Sequence, residues 1–291
     1  MKNVKMRIRL FYMLPAMAFF IGLVIIPVGM SLYNSFFEWN GINTKIFIGL
    51  GNFKELIKDK QISGALINTL KLTFASTFFQ LPIGMVIALL VTGKKTKFKG
   101  LFQSVYFLPV ILSSSIVGIL WTQIYEPNLG LVNLLLEKLG LERFQHAWLG
   151  EPQTALYAVI FVMLWFYVGN YVLIYYGALE SIPSDILEYS ELDGVPPVTK
   201  FFKIQLPLIW PTIQLTTMLV VVNSLRYFDL IYIMTKGGPN HSTDVLATVI
   251  VREAFDSMRF GYGSAISMFL FLLGTIFIVI INRLMKKESV Y

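Results

Sequence analysis

Six long apolar stretches constrain this chain more than any other feature of its sequence. Each has the roughly 20 mostly apolar residues that an α-helix needs to cross a bilayer, and helices suit hydrocarbon because they satisfy their own backbone hydrogen bonds. The composition agrees, since 56% of the 291 residues are hydrophobic and 14% are charged, whereas soluble domains are about 25% charged. We therefore predict an all-α membrane protein with six transmembrane helices, over residues 10–37, 67–92, 101–125, 154–179, 208–234 and 263–284.

The distribution of Lys and Arg predicts which way the helices cross the membrane. Cytoplasmic loops carry an excess of these residues, and the short segment 93–100 is almost wholly basic. With that segment inside, the chain divides into a cytoplasmic N-terminal segment 1–9, a six-helix domain 10–285 and a cytoplasmic tail 286–291. The basic N-terminus and its apolar run also resemble a secretory signal, but the run is too long and no Ala-x-Ala-like site follows it.

The residue inventory argues against several classes of protein. The chain has no Cys and two His, so thiolate chemistry is absent and a His-based zinc site is not expected. It also lacks the G-x-x-x-x-G-K-[ST], H-E-x-x-H and G-x-S-x-G motifs, which argues against an enzyme. We therefore expect no catalytic residue, metal or cofactor in this chain. The net charge of +7 is assigned to cytoplasmic loops and not to nucleic-acid binding.

Some local patterns predict finer features. Segments 131–139 and 245–255 carry apolar residues at i, i+3, i+4 spacing, which predicts short helices on the outer face. Inside the spans, the serines at 113–115 predict interhelical hydrogen bonds, and three glycines predict close helix approach. Those glycines are Gly84, Gly118 and Gly274.

The segment 181–207 is too polar to span the bilayer, and we predict that it forms a cytoplasmic helix-turn-helix. Ser184 is the expected N-cap of the first helix. Gly194 can adopt the left-handed conformation that ends a helix, and the Pro-Pro pair that follows prevents its continuation. A second helix over 198–204 is expected to stop before Pro207.

The order of residues in this loop resembles the EAA loop of permease subunits of ATP-binding-cassette importers. The loop contains Glu188, then Asp193-Gly194, then the Ile-x-Leu-Pro sequence 204–207, although Tyr189-Ser190 replaces the family's two Ala. Over most of its length, the chain is similar to the carbohydrate-uptake branch of these permeases, typified by maltose permeases. Further matching segments are Asn68-Thr69, Leu108-Pro109, 130–133, 235–239 and 260–265.

The resemblance implies a fold, a set of partners and a role for the loop. The fold is the ABC importer permease (MetI-like) bundle, paired with a second homologous permease, with a heterodimer favoured. Two cytoplasmic ATPase subunits would carry the ATP and Mg, and an extracytoplasmic sugar-binding protein would deliver an oligosaccharide. In this family the loop docks into a groove on the ATPase by helix-in-groove contacts. The implied coupling residues are Glu188, Asp193, Gly194, Ile204, Leu206 and Pro207.

Glu188 also has a simpler explanation, because a solvated acid near the start of a helix stabilises that helix through its dipole. Only its place in the longer pattern favours a contact with a basic group of the ATPase.

Polar side chains inside the predicted spans mark a candidate passage. Such groups are costly in hydrocarbon and either line a pathway or join two helices. Amide and guanidinium hydrogen bonds combined with aromatic rings suit a sugar. The positive charge of Arg226 would also suit an acidic sugar. Ordinary packing would also explain the tyrosines, and pairing with Asp229 would explain Arg226. The pathway candidates are Tyr167, Asn170, Tyr171, Asn223, Arg226 and Tyr227, the last three on one face of a continuous fifth helix.

We therefore predict a permease subunit that forms half of the translocation pathway of an ATP-driven sugar importer in the cell membrane. A secondary transporter of a small polar solute is the alternative. It would need an intramembrane carboxylate or an ion site built from broken helices, with inverted repeats, and Asp229 is the only acidic residue well inside a span. A helical receptor would not require a capped helix-turn-helix between spans four and five.

Cysteine labelling tests the orientation directly, because the chain has no native Cys. In a Lys97→Cys variant, a membrane-impermeant thiol reagent should react only from the cytoplasmic side, and in Asn240→Cys only from outside. The opposite sidedness in both variants would reverse the orientation and remove segment 181–207 from reach of an ATPase.

Overall fold

The computed structural model describes residues 12–92, 109 and 111–286. Within them, five helices are long and apolar enough to cross a membrane, which confirms five of the predicted spans. The third predicted span, 101–125, begins outside the described residues, and its described part is the shorter apolar helix Ser114–Ile124.

The helices and strands are labelled in chain order. Helices α1 and α3 contain the π-helical turns Ile21–Ile25 and Ser76–Gln80, while α8 and α11 lead into the π-helical turns Phe201–Gln205 and Arg252–Asp256. The short helices predicted within 131–139 and 245–255 are present as α5 and α11. The elements are α1 Tyr12–Asn34, β1 Phe37–Glu38, β2 Ile46–Phe47, α2 Gly51–Lys58, α3 Lys60–Thr92, α4 Ser114–Ile124, α5 Leu131–Lys138, α6 Ala155–Glu180, α7 Ser184–Leu192, α8 Pro197–Lys200, α9 Trp210–Leu225, α10 Asp229–Thr235, α11 Leu246–Val251 and α12 Phe260–Met285.

One structural unit comprises residues 1–62 and 249–272. Its two short strands pair antiparallel, with Phe37 opposite Phe47. The buried Asn52 side chain on α2 donates two hydrogen bonds of 2.9 Å to backbone carbonyls at the start of this hairpin. These bonds satisfy carbonyls that the short strands leave without a ladder partner, and they fix the hairpin on α2.

Charged pairs hold the start of α12 within the same unit. The Arg259 guanidinium lies 2.5 Å from the Glu55 carboxylate and 3.2 Å from that of Glu253. Although partial burial opposes its charged form, these two carboxylates raise the pKa of Arg259 above its usual value. The Tyr262 hydroxyl donates to Asp59 at 2.9 Å, so α12 is joined to the loop before α3.

Within the described part of the chain, none of the spanning segment of helix α1 is buried. Large apolar side chains such as Phe19 and Leu23 are 70% and 72% exposed. Since apolar surface of this extent is unfavourable in water, α1 must contact lipid or another subunit.

The second unit comprises residues 63–248 and 273–291. Its core lies among α3, α4, α6 and α10, where side chains including Leu72, Val117 and Ile231 are almost fully buried. A spanning helix can bury side chains on several faces, which explains why α6 is apolar around its whole circumference. These contacts place α6 and α10 where their polar residues can share one space.

Two of the three glycines lie where neighbouring helices approach closely, as predicted. A Cβ added at Gly84 would lie 3.2 Å from the Tyr171 Cβ, and one at Gly118 would lie 2.7 Å from Ile233. At Gly274 the nearest atom would be at 3.5 Å, which is an ordinary contact.

The loops between spans are held by polar side chains. Asn68 on α3 donates hydrogen bonds of 2.9 Å to the backbone carbonyls of Ser242 and Asp244. In the loop after α4, the Glu126 carboxylate accepts backbone N–H groups of Leu129 and Asn128, which lowers the pKa of Glu126. Both loops therefore have a defined conformation that their backbone hydrogen bonds alone would not provide.

Replacing Asn68 with Ala should destabilise the fold, because two backbone carbonyls lose their donor. The expected loss is about 1–3 kcal/mol per unsatisfied buried group, measured as a lower temperature of thermal unfolding in detergent. Thr92→Val is the matched control, since among the described residues the Thr92 hydroxyl bonds only to the Ala88 carbonyl of its own helix, at 2.8 Å. Equal unfolding temperatures for Asn68→Ala and the control would show that Asn68 does not hold this loop.

Candidate translocation pocket and coupling loop

A pocket of about 550 Å³ lies between α6 and the end of α9. Its volume falls within the about 300–1,000 Å³ that is usual for small-ligand sites. All six predicted pathway residues line it, although they come from two separate segments of the chain. We name it the polar pocket; its lining is Tyr167, Asn170, Tyr171, Leu173, Ile174, Leu219, Asn223, Arg226 and Tyr227.

The tyrosines form the wall of the polar pocket and the other polar groups reach into it. The rings of Tyr167 and Tyr227 are stacked, with centroids 5.0 Å apart and planes 12° apart. Tyr171 is buried and lines the pocket together with Asn223. The side chains of Asn170, Asn223 and Arg226 are exposed to the open part of the pocket. The pocket can therefore offer ring faces, amides and a guanidinium to one ligand.

The fifth predicted span is not one continuous helix, which corrects the expectation that Asn223, Arg226 and Tyr227 share a helical face. Helix α9 ends at Leu225 and α10 begins at Asp229. The Arg226 and Tyr227 side chains therefore project from the break. An acid that precedes an apolar run is a start signal for a helix, because it interacts favourably with the helix dipole, so Asp229 could have indicated the break.

Arg226 is not neutralised by Asp229 within the described part of the chain. The Asp229 carboxylate instead accepts a hydrogen bond of 3.4 Å from the Ser114 hydroxyl on α4. This contact confirms an interhelical hydrogen bond at the serines 113–115. Arg226 lines the polar pocket instead.

Two buried polar residues on α3 were not singled out from the sequence. Ser76 is 1% exposed, and the π-helical turn that it begins packs against α6 and α9. Gln80 lies one turn farther along α3 and is also 1% exposed. Both interrupt an apolar span, which is the pattern that indicates functional polar groups in membrane helices.

The segment 181–207 folds as two helices joined by a tight turn, as predicted. Gly194 has the left-handed conformation, with φ of +66°. The N–H of Val195 donates to Ser190 at 3.0 Å, and that of Gly194 donates to Glu191 at 3.1 Å. These bonds satisfy carbonyls at the end of α7, which is the usual role of a glycine just after a helix.

Two details of this loop differ from the prediction. Ser184 is the first residue of α7, not its N-cap, and its hydroxyl bonds to the neighbouring Asp185. The second helix does not stop before Pro207: α8 passes through the π-helical turn 201–205 into Leu206–Leu208. Proline is accepted there because it lies in the first turn of that last segment, where its missing N–H is not needed.

We call residues 184–208, which lie almost wholly within the predicted segment 181–207, the coupling loop, after the role that the resemblance implies. Its two arms are tied by an ion pair of 2.9 Å between Lys200 and Glu191. Glu188 and Asp193 are exposed, whereas Ile204, Leu206 and Pro207 are half-buried.

The coupling loop exposes large apolar side chains as well as charged ones. Four large side chains there are more than half exposed: Tyr189 at 69%, Leu192 at 81%, Val198 at 69% and Phe202 at 59%. Exposed apolar residues grouped on a short rigid motif are typical of a protein-binding surface.

The chain matches a family of membrane transport proteins over most of its length. Residues 80–289 match the family described as binding-protein-dependent transport system inner membrane component.

Curated relatives of similar length extend this match to nearly the whole chain. A probable ABC transporter permease protein of Bacillus subtilis is 33% identical over 88% of this chain and 88% of its own. A multiple sugar-binding transport system permease protein of Streptococcus mutans is 32% identical over 91% of this chain and 90% of its own.

A solved structure shares the fold. It is a bacterial ABC transporter involved in the import of the acidic polysaccharide alginate, with a TM-score of 0.85 and 25% identity. The match covers 98% of this chain and 97% of that one.

Proposed function

Because this chain belongs to the family of inner membrane components of binding-protein-dependent transport systems, we propose that it is the permease subunit of an ATP-driven sugar importer. It would form half of the translocation pathway. The observation that carries the proposal is the polar pocket, which unites stacked tyrosines, two amides and a guanidinium at a break between membrane helices.

The chemistry of the polar pocket supports an oligosaccharide as the substrate. Sugar rings have apolar faces that pack on aromatic rings and hydroxyls that bond to planar amides, which Tyr167, Asn170 and Asn223 can provide. The similarity to a multiple-sugar permease and to an alginate importer points the same way. The exposed Arg226 would pair with the carboxylate of an acidic sugar.

The coupling loop would transmit the action of an ATPase to the pocket. Exposed apolar side chains such as Leu192 and Val198 suit insertion into a groove, and Glu188 would pair with a basic group at its rim. Asp193 and Gly194 hold the turn, while Ile204, Leu206 and Pro207 connect the loop to α9. ATP and Mg would bind to the ATPase and not to this chain.

The assembly that we propose contains further partners. Because Asn170, Asn223 and Arg226 are exposed, a second homologous permease would complete the pathway, in a heterodimer above two ATPase subunits. An extracytoplasmic sugar-binding protein would deliver the substrate. Both termini would lie in the cytoplasm, as the basic segment 93–100 requires.

One observation favours the alternative of a secondary transporter. Broken helices near a polar site, as between α9 and α10, also form the ion sites of secondary transporters. The two functions differ in their energy source, because a secondary transporter would accumulate solute with an ion gradient and no ATP.

Substitutions of Asn170 and Asn223 test the pathway in proteoliposomes that contain the complete importer. Maltotriose, N,N′-diacetylchitobiose and an alginate trisaccharide are the probes, and we expect ATP-dependent uptake of at least one. Asn170→Ala or Asn223→Ala should raise the half-saturating sugar concentration roughly two- to tenfold, because each removes one neutral hydrogen bond.

The matched control is Thr217→Val on α9, whose hydroxyl bonds only to the Ile213 carbonyl of its own helix, at 2.8 Å. Unchanged half-saturation in both Asn variants would remove them from the pathway. Uptake driven by an ion gradient without ATP would support the secondary transporter instead.

Charge reversal and a blocked turn test the coupling loop. Glu188→Lys and Gly194→Pro should each lower sugar-stimulated ATP hydrolysis at least about tenfold, since one places a like charge in the interface and the other cannot adopt positive φ. Membrane insertion should persist. Glu137→Lys, an exposed reversal on α5, is the control, and full stimulated hydrolysis in both loop variants would contradict the coupling role.

A further inference from the structure

Lys71 is an exposed, charged residue inside the spanning helix α3. Its Nζ lies 5.9 Å from the ring centroid of Tyr157 on α6. Within the described part of the chain, no carboxylate forms an ion pair with it. A charge on a spanning helix is costly unless it pairs with an opposite charge or extends to the membrane surface. This ammonium therefore needs an anion from outside the chain.

Tyr157 indicates the depth at which the ammonium lies. Helix α6 begins at Ala155, so Tyr157 belongs to its first turn, and tyrosine is enriched where spanning helices meet the headgroup region. The two helices run in the same direction, because Lys71 contacts Tyr157 and Gly84, farther along α3, contacts Tyr171. The ammonium thus lies at the level of the headgroups of one leaflet, which is the outer leaflet in the orientation proposed above.

An apolar groove extends from this ammonium between α3 and α6. Its volume is about 780 Å³, and all its lining residues except Lys71 and Tyr157 are apolar. From Lys71 to Phe79 it follows α3 for about 12 Å, which is most of one leaflet of a hydrocarbon core about 30 Å thick. Phe74 and Phe79 in the groove are 56% and 54% exposed. The groove therefore has the depth and the apolar lining that an acyl chain requires.

We propose that this groove binds an anionic phospholipid, with an acyl chain along α3 and the headgroup phosphate on Lys71. Basic side chains at the membrane surface attract anionic lipids. Tyr157 is 61% exposed, and its hydroxyl can donate to the same phosphate. The proposal does not depend on sugar import, since it requires only that the chain spans a membrane.

The charge of Lys71 favours this occupant over two others. An apolar helix of a second permease subunit would fill the groove but would cover the ammonium without neutralising it, which is unfavourable. A zwitterionic lipid carries its own cation, which competes with Lys71 for the phosphate. An anionic lipid satisfies both the apolar lining and the charge.

A bound lipid would join α3 to α6, and α6 also carries Tyr167 and Asn170 of the polar pocket. Because a ligand that binds only the folded state stabilises it, phosphatidylglycerol should raise the unfolding temperature of the complete importer in detergent. It should not do so in Lys71→Gln, whereas in phosphatidylcholine the variant and the wild type should unfold at the same temperature.

A photoreactive side chain in the groove identifies its occupant. The complete importer carrying Phe74→benzoylphenylalanine is reconstituted in vesicles of equal phosphatidylglycerol and phosphatidylcholine with the same acyl chains. After irradiation, mass spectrometry should detect lipid adducts, with phosphatidylglycerol about fivefold in excess, the factor expected for one lysine at an anionic lipid.

Two substitutions in this photoreactive background test the role of the charge. Lys71→Gln should make the yields of the two lipid adducts equal. Lys60→Gln is the matched control, because Lys60 is an exposed lysine at the start of the same helix but does not line the groove. It should leave the excess of phosphatidylglycerol unchanged.

Four results would overturn the proposal. Cross-linking of position 74 to the second permease subunit would show that protein fills the groove, and the lack of any adduct would show that nothing does. Equal lipid yields without the Lys71 substitution would show that the groove does not recognise charge. An equal loss of preference in Lys60→Gln and Lys71→Gln would show that only the general surface charge matters.

Discussion

Hydrocarbon offers no hydrogen-bond partner to a peptide group, and every other feature of this structure depends on that constraint. The chain meets it with helices long enough to cross the bilayer, such as α6 and α12. Irregular backbone is then restricted to places that other groups can satisfy. The hairpin on α2 and the loop after α10 are examples, since Asn52 and Asn68 supply donors to backbone carbonyls there.

The same constraint makes the departures from regular helix informative. Backbone that leaves the helical ladder inside a membrane is tolerated where it is covered by protein or lines a cavity. The break between α9 and α10 lines the polar pocket, and the π-helical turn of α3 packs against α6 and α9, the two helices that form the pocket.

Helices α6 and α9 connect the polar pocket to the coupling loop. From Asn170 to its end at Glu180, α6 extends about 15 Å, and the coupling loop follows after three residues. At the other end of the loop, α9 begins at Trp210 and carries Asn223 to the pocket. Because both helices are stiff, a displacement of the loop would move α6 and α9 together, and with them the residues on both sides of the pocket.

The membrane class, the five described spanning helices and the turn at Gly194 could be predicted from the sequence, because they follow from local properties: apolar length and the backbone freedom of glycine. Six of the nine residues that line the polar pocket could be predicted as well, since a polar group in an apolar span is recognisable without knowledge of its neighbours. Hydropathy could not show the break at 226–228, because an average over a span measures how apolar the segment is and not where its backbone leaves the helix. The stacking of Tyr167 on Tyr227, and the lack of a partner for the Gln80 amide among the described residues, could be learned only from the folded arrangement. Both depend on which atoms from distant parts of the chain come into contact when the helices pack.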